Sequence, residues 1–131
     1  MKLKKITNCL AMFLALLGVL GGCGMGGEEL TLTKEQQDNV VRWIVRNYEV
    51  DAVEFIKFEK DVKTGFYLLS VQLNSDKKLS TTLSIRQIEE LDEKNIDIGL
   101  NPVNRFKSIE RKVPLEGLIN LSQIEIIYLG E

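Results

Sequence analysis

The side chains best suited to chemistry in this sequence are four closely spaced carboxylates, Glu89, Glu90, Asp92 and Glu93. Paired carboxyl groups can hydrolyse a glycosidic bond when their separation and surroundings give them different pKa values. The same four residues flank the apolar Ile88 and Leu91, an arrangement typical of a half-exposed helix with a solvated acidic face. We favour the solvated face and keep a carboxylate-dependent hydrolase of cell-wall glycans as an alternative function.

The sequence contains no histidine, which excludes Ser-His-Asp and Cys-His nucleophilic systems. Zinc would lack its usual ligands as well. Asn95, Asp97 and Asn101 offer oxygens to calcium, but the ligand order of an EF-hand loop is missing. We therefore expect no cofactor, no metal site and no enzymatic activity.

The N-terminal segment has the composition of an export signal. Lys2, Lys4 and Lys5 precede an apolar run from Cys9 to Leu20. This run is shorter than the roughly 20 apolar residues that a membrane-spanning helix needs. Residues 1–22 are therefore predicted to be a cleaved signal peptide.

Leu20-Gly21-Gly22-Cys23 resembles the lipobox of bacterial lipoproteins, in which an aliphatic residue and two small residues precede a cysteine. The resemblance covers only the leader. It implies that Cys23 receives a diacylglyceryl group and becomes the first residue of the mature chain, anchored on the extracytoplasmic face of the cell membrane. Two acyl chains suffice for stable anchoring. The alternative is a freely secreted protein in which Cys23 is an ordinary small residue.

Cleavage would also change the charge of the protein. Loss of three lysines from the 17 basic residues leaves 14 against 19 acidic residues, so the net charge falls from −2 to −5. An acidic domain is repelled by nucleic acid and by anionic lipid, so we expect no nucleic-acid partner and expect the lipid on Cys23 to hold the protein at the membrane. Residues 23–30 are rich in glycine and are predicted to form a flexible tether.

Residues 31–131 are predicted to form one domain that begins with a helix. Thr33-Lys34-Glu35-Gln36 has the spacing of a capping box, which marks a helix start. The apolar residues that follow recur at three- and four-residue spacing, with Asp38, Arg42 and Arg46 on the opposite side. This apolar stripe comprises Val40, Val41, Ile44, Val45 and Tyr48.

Alternating apolar residues then predict an antiparallel meander of three strands, at 53–59, 67–73 and 79–85. A second capping-box spacing at Ser84-Ile85-Arg86-Gln87 predicts a short helix. An edge strand is possible at 106–113, and 124–129 has the composition of a strand. The predicted fold class is α+β, with an N-terminal amphipathic helix packed on a four- to five-stranded antiparallel sheet and a short additional helix.

This order of elements, with Asn47-Tyr48 leaving the helix and Ile126-Ile127-Tyr128-Leu129-Gly130-Glu131 closing the chain, looks like a group of small lipoproteins of Gram-positive bacteria. The group has no established activity. The resemblance therefore implies a fold and an anchor, and it carries over no site residues.

Five residues are candidates for contact with a partner: Trp43, Arg105, Lys107, Arg111 and Lys112. Trp43 projects beyond the edge of the apolar stripe, so its indole is either a recognition group or a seal at the margin of the core. The four basic residues either bind an anionic partner or protect a sheet edge by charge.

We interpret the sequence as a non-enzymatic lipoprotein that binds an unknown protein or another component of the cell envelope. Two alternatives stay open. One is the carboxylate-dependent hydrolase, and the other is a carrier that holds a small ligand between helix and sheet.

Overall fold

The structure, a computed structural model, describes residues 27–131. The predicted signal peptide 1–22, the candidate lipidation site Cys23 and residues 24–26 lie outside the described part. The described residues form an α+β fold. Its strands are β1 (Gly27–Glu29), β2 (Ala52–Asp61), β3 (Tyr67–Leu73), β4 (Ser80–Ile85) and β5 (Glu125–Ile127).

The first four strands form an antiparallel sheet in the order β1-β2-β3-β4. β5 adds to the outer edge of β2 in parallel, pairing Ala52 with Glu125 and Glu54 with Ile127. The sheet is therefore mixed, and the prediction of an antiparallel sheet is wrong. The chain reaches β5 through a long irregular segment, which brings it back to the same end at which β2 begins, and Glu125 N donates to Asp51 O at 2.9 Å.

β1 lies in the segment predicted to be a tether. Gly27 pairs with Asp61 and Glu29 with Glu59, and Leu30 N donates to Phe58 O at 2.9 Å. The tether prediction is thus wrong for residues 27–30. The open backbone edge of β2 offers these residues hydrogen bonds that their glycine- and glutamate-rich composition does not reveal.

Helix α1 (Lys34–Asn47) begins where the capping box predicts. Thr33 Oγ1 accepts from Gln36 N at 3.0 Å, and Thr33 N donates to Gln36 Oε1 at 3.0 Å. The predicted apolar stripe of the helix is buried in one core with the sheet, so this part of the prediction is confirmed. The sheet contributes Val53, Phe55, Phe58, Leu69, Val71, Leu73, Leu83 and Ile85 to this core.

Two polar side chains of α1 are also covered by protein, Gln37 within the apolar stripe and Asn39 on the polar side. Gln37 and Asn39 are 2% and 1% exposed. Asn39 Nδ2 donates to Leu91 O at 2.9 Å, and Leu129 N donates to Gln37 Oε1 at 2.7 Å. The helix therefore packs against two further chain segments, at Leu91 and at Leu129, as well as against the sheet.

The edge strand considered possible at 106–113 does not form. Its residues instead include the end of the short helix α2 (Val103–Phe106) and a 3-10 turn at Lys107–Ile109. Phe106 is 1% exposed and meets the Tyr48 ring edge-on, with the ring centroids 6.3 Å apart. The chain then runs along the end of α1, where Arg111 N donates to Asn47 O at 2.8 Å. The unpaired carbonyls of the helix end, rather than a sheet edge, bind this segment.

The short helix predicted after β4 is present as a 3-10 helix at Ile88–Asp92. Its predicted cap is wrong, because Ser84 and Ile85 are still part of β4 and Gln87 occupies the N-cap position without a side-chain hydrogen bond.

Candidate functional site

The sheet of the described domain has an open edge at β4. Within residues 27–131, β4 pairs with β3 alone. Arg105 Nη1 donates to Ser80 O at 2.9 Å from the side away from β3. Because backbone groups alternate in direction along an antiparallel strand, the N–H and C=O groups of Thr82 and Ser84 point to this open side too.

This edge carries little of the protection that natural sheets use. Edge strands are usually short, charged, interrupted by proline or covered by another segment. Ser80–Ile85 contains no charged residue and no proline, and Arg105 occupies only its first carbonyl. In the part of the chain that the structure describes, no backbone hydrogen bond outside the β3–β4 ladder reaches Thr82 or Ser84. The edge is therefore able to accept another strand.

A groove of about 280 Å³ runs beside this edge. One wall is β4 and the other is the segment 96–101, and both apolar and polar groups line it. Its lining includes Trp43, Thr82, Leu83, Ser84, Ile85, Glu90, Ile96, Ile98, Gly99 and Asn101. We call this feature the edge groove.

Hydrogen bonds to the core side of the domain hold the second wall in place. Thr81 Oγ1 donates to Asn101 O at 2.5 Å, and Leu100 N donates to the Tyr48 hydroxyl at 2.9 Å. Asn47 Nδ2 donates to Ile98 O at 2.9 Å. A wall fixed at three points along its length makes the edge groove a preformed feature of the fold.

Trp43, a candidate for contact with a partner, is covered by protein. It is 2% exposed, and its Nε1 donates to Glu93 O at 2.8 Å. The segment after the 3-10 helix crosses over the indole where Trp43 lines the edge groove, at the margin of the core. Trp43 forms part of the groove floor, and its exposed surface is too small for the role of a recognition group.

The four basic candidates have different surroundings in the structure. Arg105 binds the first carbonyl of β4, which is a form of edge protection. Arg111 Nε donates to Val45 O at 2.8 Å at the C-terminal end of α1, where a cation interacts favourably with the helix dipole. Lys107 and Lys112 are exposed. The four residues therefore do not act as one cluster.

The carboxylates are also dispersed. Glu90 lines the edge groove, whereas Asp92 Oδ1 accepts from Gln36 Nε2 at 3.3 Å. Glu89 and Glu93 are exposed. Within the lining of the edge groove Glu90 is the sole carboxylate, whereas glycoside hydrolysis uses two facing ones.

The side-chain oxygens considered for calcium accept hydrogen bonds from α1. Asn95 Oδ1 accepts from Arg46 Nη2 at 2.7 Å, and Asp97 Oδ1 accepts from Asn47 Nδ2 at 2.8 Å. No group of three or more His, Cys, Asp or Glu residues in the region 27–131 has the spacing to hold a metal ion.

Arg46 is a structural residue that the sequence analysis places only on the polar side of the helix. Its guanidinium donates to Leu115 O at 2.9 Å, to Gly117 O at 3.2 Å and to Asn95 Oδ1. These partners are 49 to 71 residues away along the chain, so no local spacing indicates them. Arg46 therefore connects the end of α1 to two irregular segments, one at Asn95 and one at 115–117.

The space between α1 and the sheet is filled by packed side chains. Val40, Val41 and Ile44 on the helix and Leu69 and Val71 on the sheet are completely buried. A ligand between helix and sheet would have to displace this core. The edge groove lies at its margin instead.

No protein-family model, curated protein or solved structure matches this chain. Among the described residues, no helix has the length and apolar character needed to cross a bilayer. The description of the edge groove therefore rests on the structure of this chain alone.

Proposed function

We propose that this protein is a lipid-anchored module on the extracytoplasmic face of the cell membrane, and that it acts by binding a protein of the cell envelope rather than by catalysis. The proposed anchor is the diacylglyceryl group on Cys23, within the lipobox-like Leu20-Gly21-Gly22-Cys23. The proposed contact surface is the edge groove.

The open edge of β4 is the observation that supports binding of a protein partner. An extended polypeptide can add to an exposed sheet edge through backbone hydrogen bonds, while adjacent pockets receive alternate side chains. Thr82 and Ser84 offer outward backbone groups, as the register of β4 with β3 implies, and Ile96 and Ile98 offer an apolar wall. A polypeptide is the partner that satisfies both features, because it brings its own backbone donors and acceptors.

Photo-crosslinking in intact cells tests the contact surface. A photoreactive residue would replace Ser84 in the full-length chain, and a control chain would carry it at Leu118, which is 82% exposed and distant in sequence from β4. We expect a discrete protein adduct from position 84 that is absent from position 118. Equal adducts at both positions would indicate non-specific contact.

A proline substitution then separates strand pairing from side-chain contact. Thr82→Pro removes an outward N–H while leaving the β3–β4 ladder bonds in place, so we expect the adduct to fall by about tenfold or more. Thr82→Ala changes the side chain but keeps the N–H, and should retain the adduct. Thermal unfolding of both variants would check that the domain stays folded. Retention of the full adduct in a folded Thr82→Pro variant would contradict strand addition at β4.

A further inference from the structure

The chain enters the domain beside the turn that joins β2 to β3. Gly27, the first described residue, pairs with Asp61, the last residue of β2. The turn that follows contains Lys63, Thr64 and Gly65 and leads to β3. We call residues 61–66 the hairpin tip.

The hairpin tip is within reach of Cys23. Four residue steps separate Cys23 from Gly27, and a fully extended chain covers at most about 3.6 Å per step, or about 14 Å in total. The opposite end of β2 is farther away. Its ten residues, Ala52–Asp61, extend about 3.3 Å each, so the two ends of the strand are about 30 Å apart.

Two apolar side chains at the hairpin tip are exposed. Val62 is 65% exposed and Phe66 is 37% exposed. The carboxylate of Asp61 is engaged within the turn, since Oδ1 accepts from Lys63 N at 3.2 Å and Oδ2 accepts from Thr64 Oγ1 at 2.9 Å. The tip therefore presents apolar side chains and a lysine around a carboxylate that is already hydrogen-bonded.

We propose that the hairpin tip is the membrane-contacting end of the domain, with Val62 and Phe66 entering the head-group region of the bilayer that holds the acyl chains of Cys23. The inference rests on the proposed anchor. The short link between Cys23 and Gly27 keeps this end of the sheet near the bilayer, and a lipid surface is the partner that accepts exposed apolar side chains next to a lysine.

This placement also orients the edge groove. Ile85, the last residue of β4, pairs with Tyr67, and Tyr67 pairs with Lys60 next to the hairpin tip. Ser80 lies at the other end of β4, toward Lys77 and Lys78. The Ile85 end of the groove then faces the membrane, and a protein partner approaches β4 from the side.

Site-directed spin labelling of the lipidated full-length product tests the contact. The chain would be produced in a bacterium that processes lipoproteins, purified in detergent and reconstituted in vesicles of phosphatidylcholine and phosphatidylglycerol. Val62→Cys would carry the label. The matched control is Val113→Cys, because Val113 is 73% exposed and lies near the end of α1 that leads into the far end of β2.

We expect the label at position 62 to be protected from a water-soluble paramagnetic reagent and exposed to oxygen, at a depth within about 10 Å of the head-group boundary. The label at position 113 should stay fully accessible to the aqueous reagent. Equal aqueous accessibility at both positions would overturn the membrane contact.

The parent chain without an added cysteine distinguishes the two proposals. If Cys23 is acylated, the processed parent has no free thiol and takes up no spin label. Labelling of the processed parent, which has lost Cys9 with its leader, would show a free Cys23 and would overturn the anchor together with the inference built on it. An unlabelled parent with an aqueous label at position 62 would overturn the membrane contact alone.

Discussion

At the scale of single residues, Tyr128 links the end of the chain to α1. Its hydroxyl donates to Asp38 Oδ1 at 2.7 Å, and Lys34 Nζ lies 4.8 Å from the centre of its ring. Burial, together with the hydrogen bond to Asp38 and the negative charge of that carboxylate, raises the pKa of Tyr128 to about 12. The phenol is therefore held in its protonated form as a hydrogen-bond donor.

A raised phenol pKa makes stability fall at high pH. The unfolded chain releases the Tyr128 proton near the ordinary pKa of 10, whereas the folded chain keeps it up to about 12. The stabilisation is complete below pH 10 and is lost as the pH rises from 10 through 12. We expect Tyr128→Phe to remove this part of the pH dependence and Asp38→Asn to lower the pKa of Tyr128. Difference absorbance titration and urea unfolding would measure both effects, and an unchanged pKa in Asp38→Asn would contradict the assigned contact.

At the scale of elements, the chain contains two sequences with capping-box spacing, and only the first forms a helix cap. Thr33 and Gln36 form a reciprocal cap, whereas Ser84 and Gln87 do not. We expect Thr33→Ala to lower the free energy of unfolding by about 1 kcal/mol, because it leaves a helix N–H without its acceptor. Ser84→Ala should change it by less than about 0.5 kcal/mol. Equal losses in chemical denaturation would contradict the difference between the caps.

These two motifs show how far local sequence predicts this fold. The stripe of α1 and the meander β2-β3-β4 follow from periodicity, because one-sided burial against a core dictates the spacing. The Ser84 motif is misleading because strand pairing of Leu83 and Ile85 in β4 prevails over a local cap. Propensity is weak compared with such tertiary contacts.

Long-range pairing accounts for the remaining errors. The parallel placement of β5 and the run of residues 109–115 along the end of α1 depend on partners far away in sequence. The edge groove could not be predicted for the same reason, since β4, α1 and the segment 96–101 meet only in the folded chain. The sequence does indicate its contributors, as Trp43 and the alternating apolar residues of β4 are visible in it.

At the scale of the whole molecule, the two ends of the sheet and its free edge carry different features. The chain enters at the hairpin tip, the irregular segments gather at the end of α1, and the edge groove runs along the free side of β4. In the proposed account, one end of the sheet contacts the membrane and one edge meets a protein partner. The membrane contact depends on a lipid at Cys23.

The most direct test of this account is the intact mass of the protein extracted from bacterial membranes. We expect a chain that begins at Cys23 and carries a diacylglyceryl group, and we expect Cys23→Ala to abolish this species. An unmodified chain released into the medium, or a membrane fraction that contains only unmodified protein, would contradict the central claim.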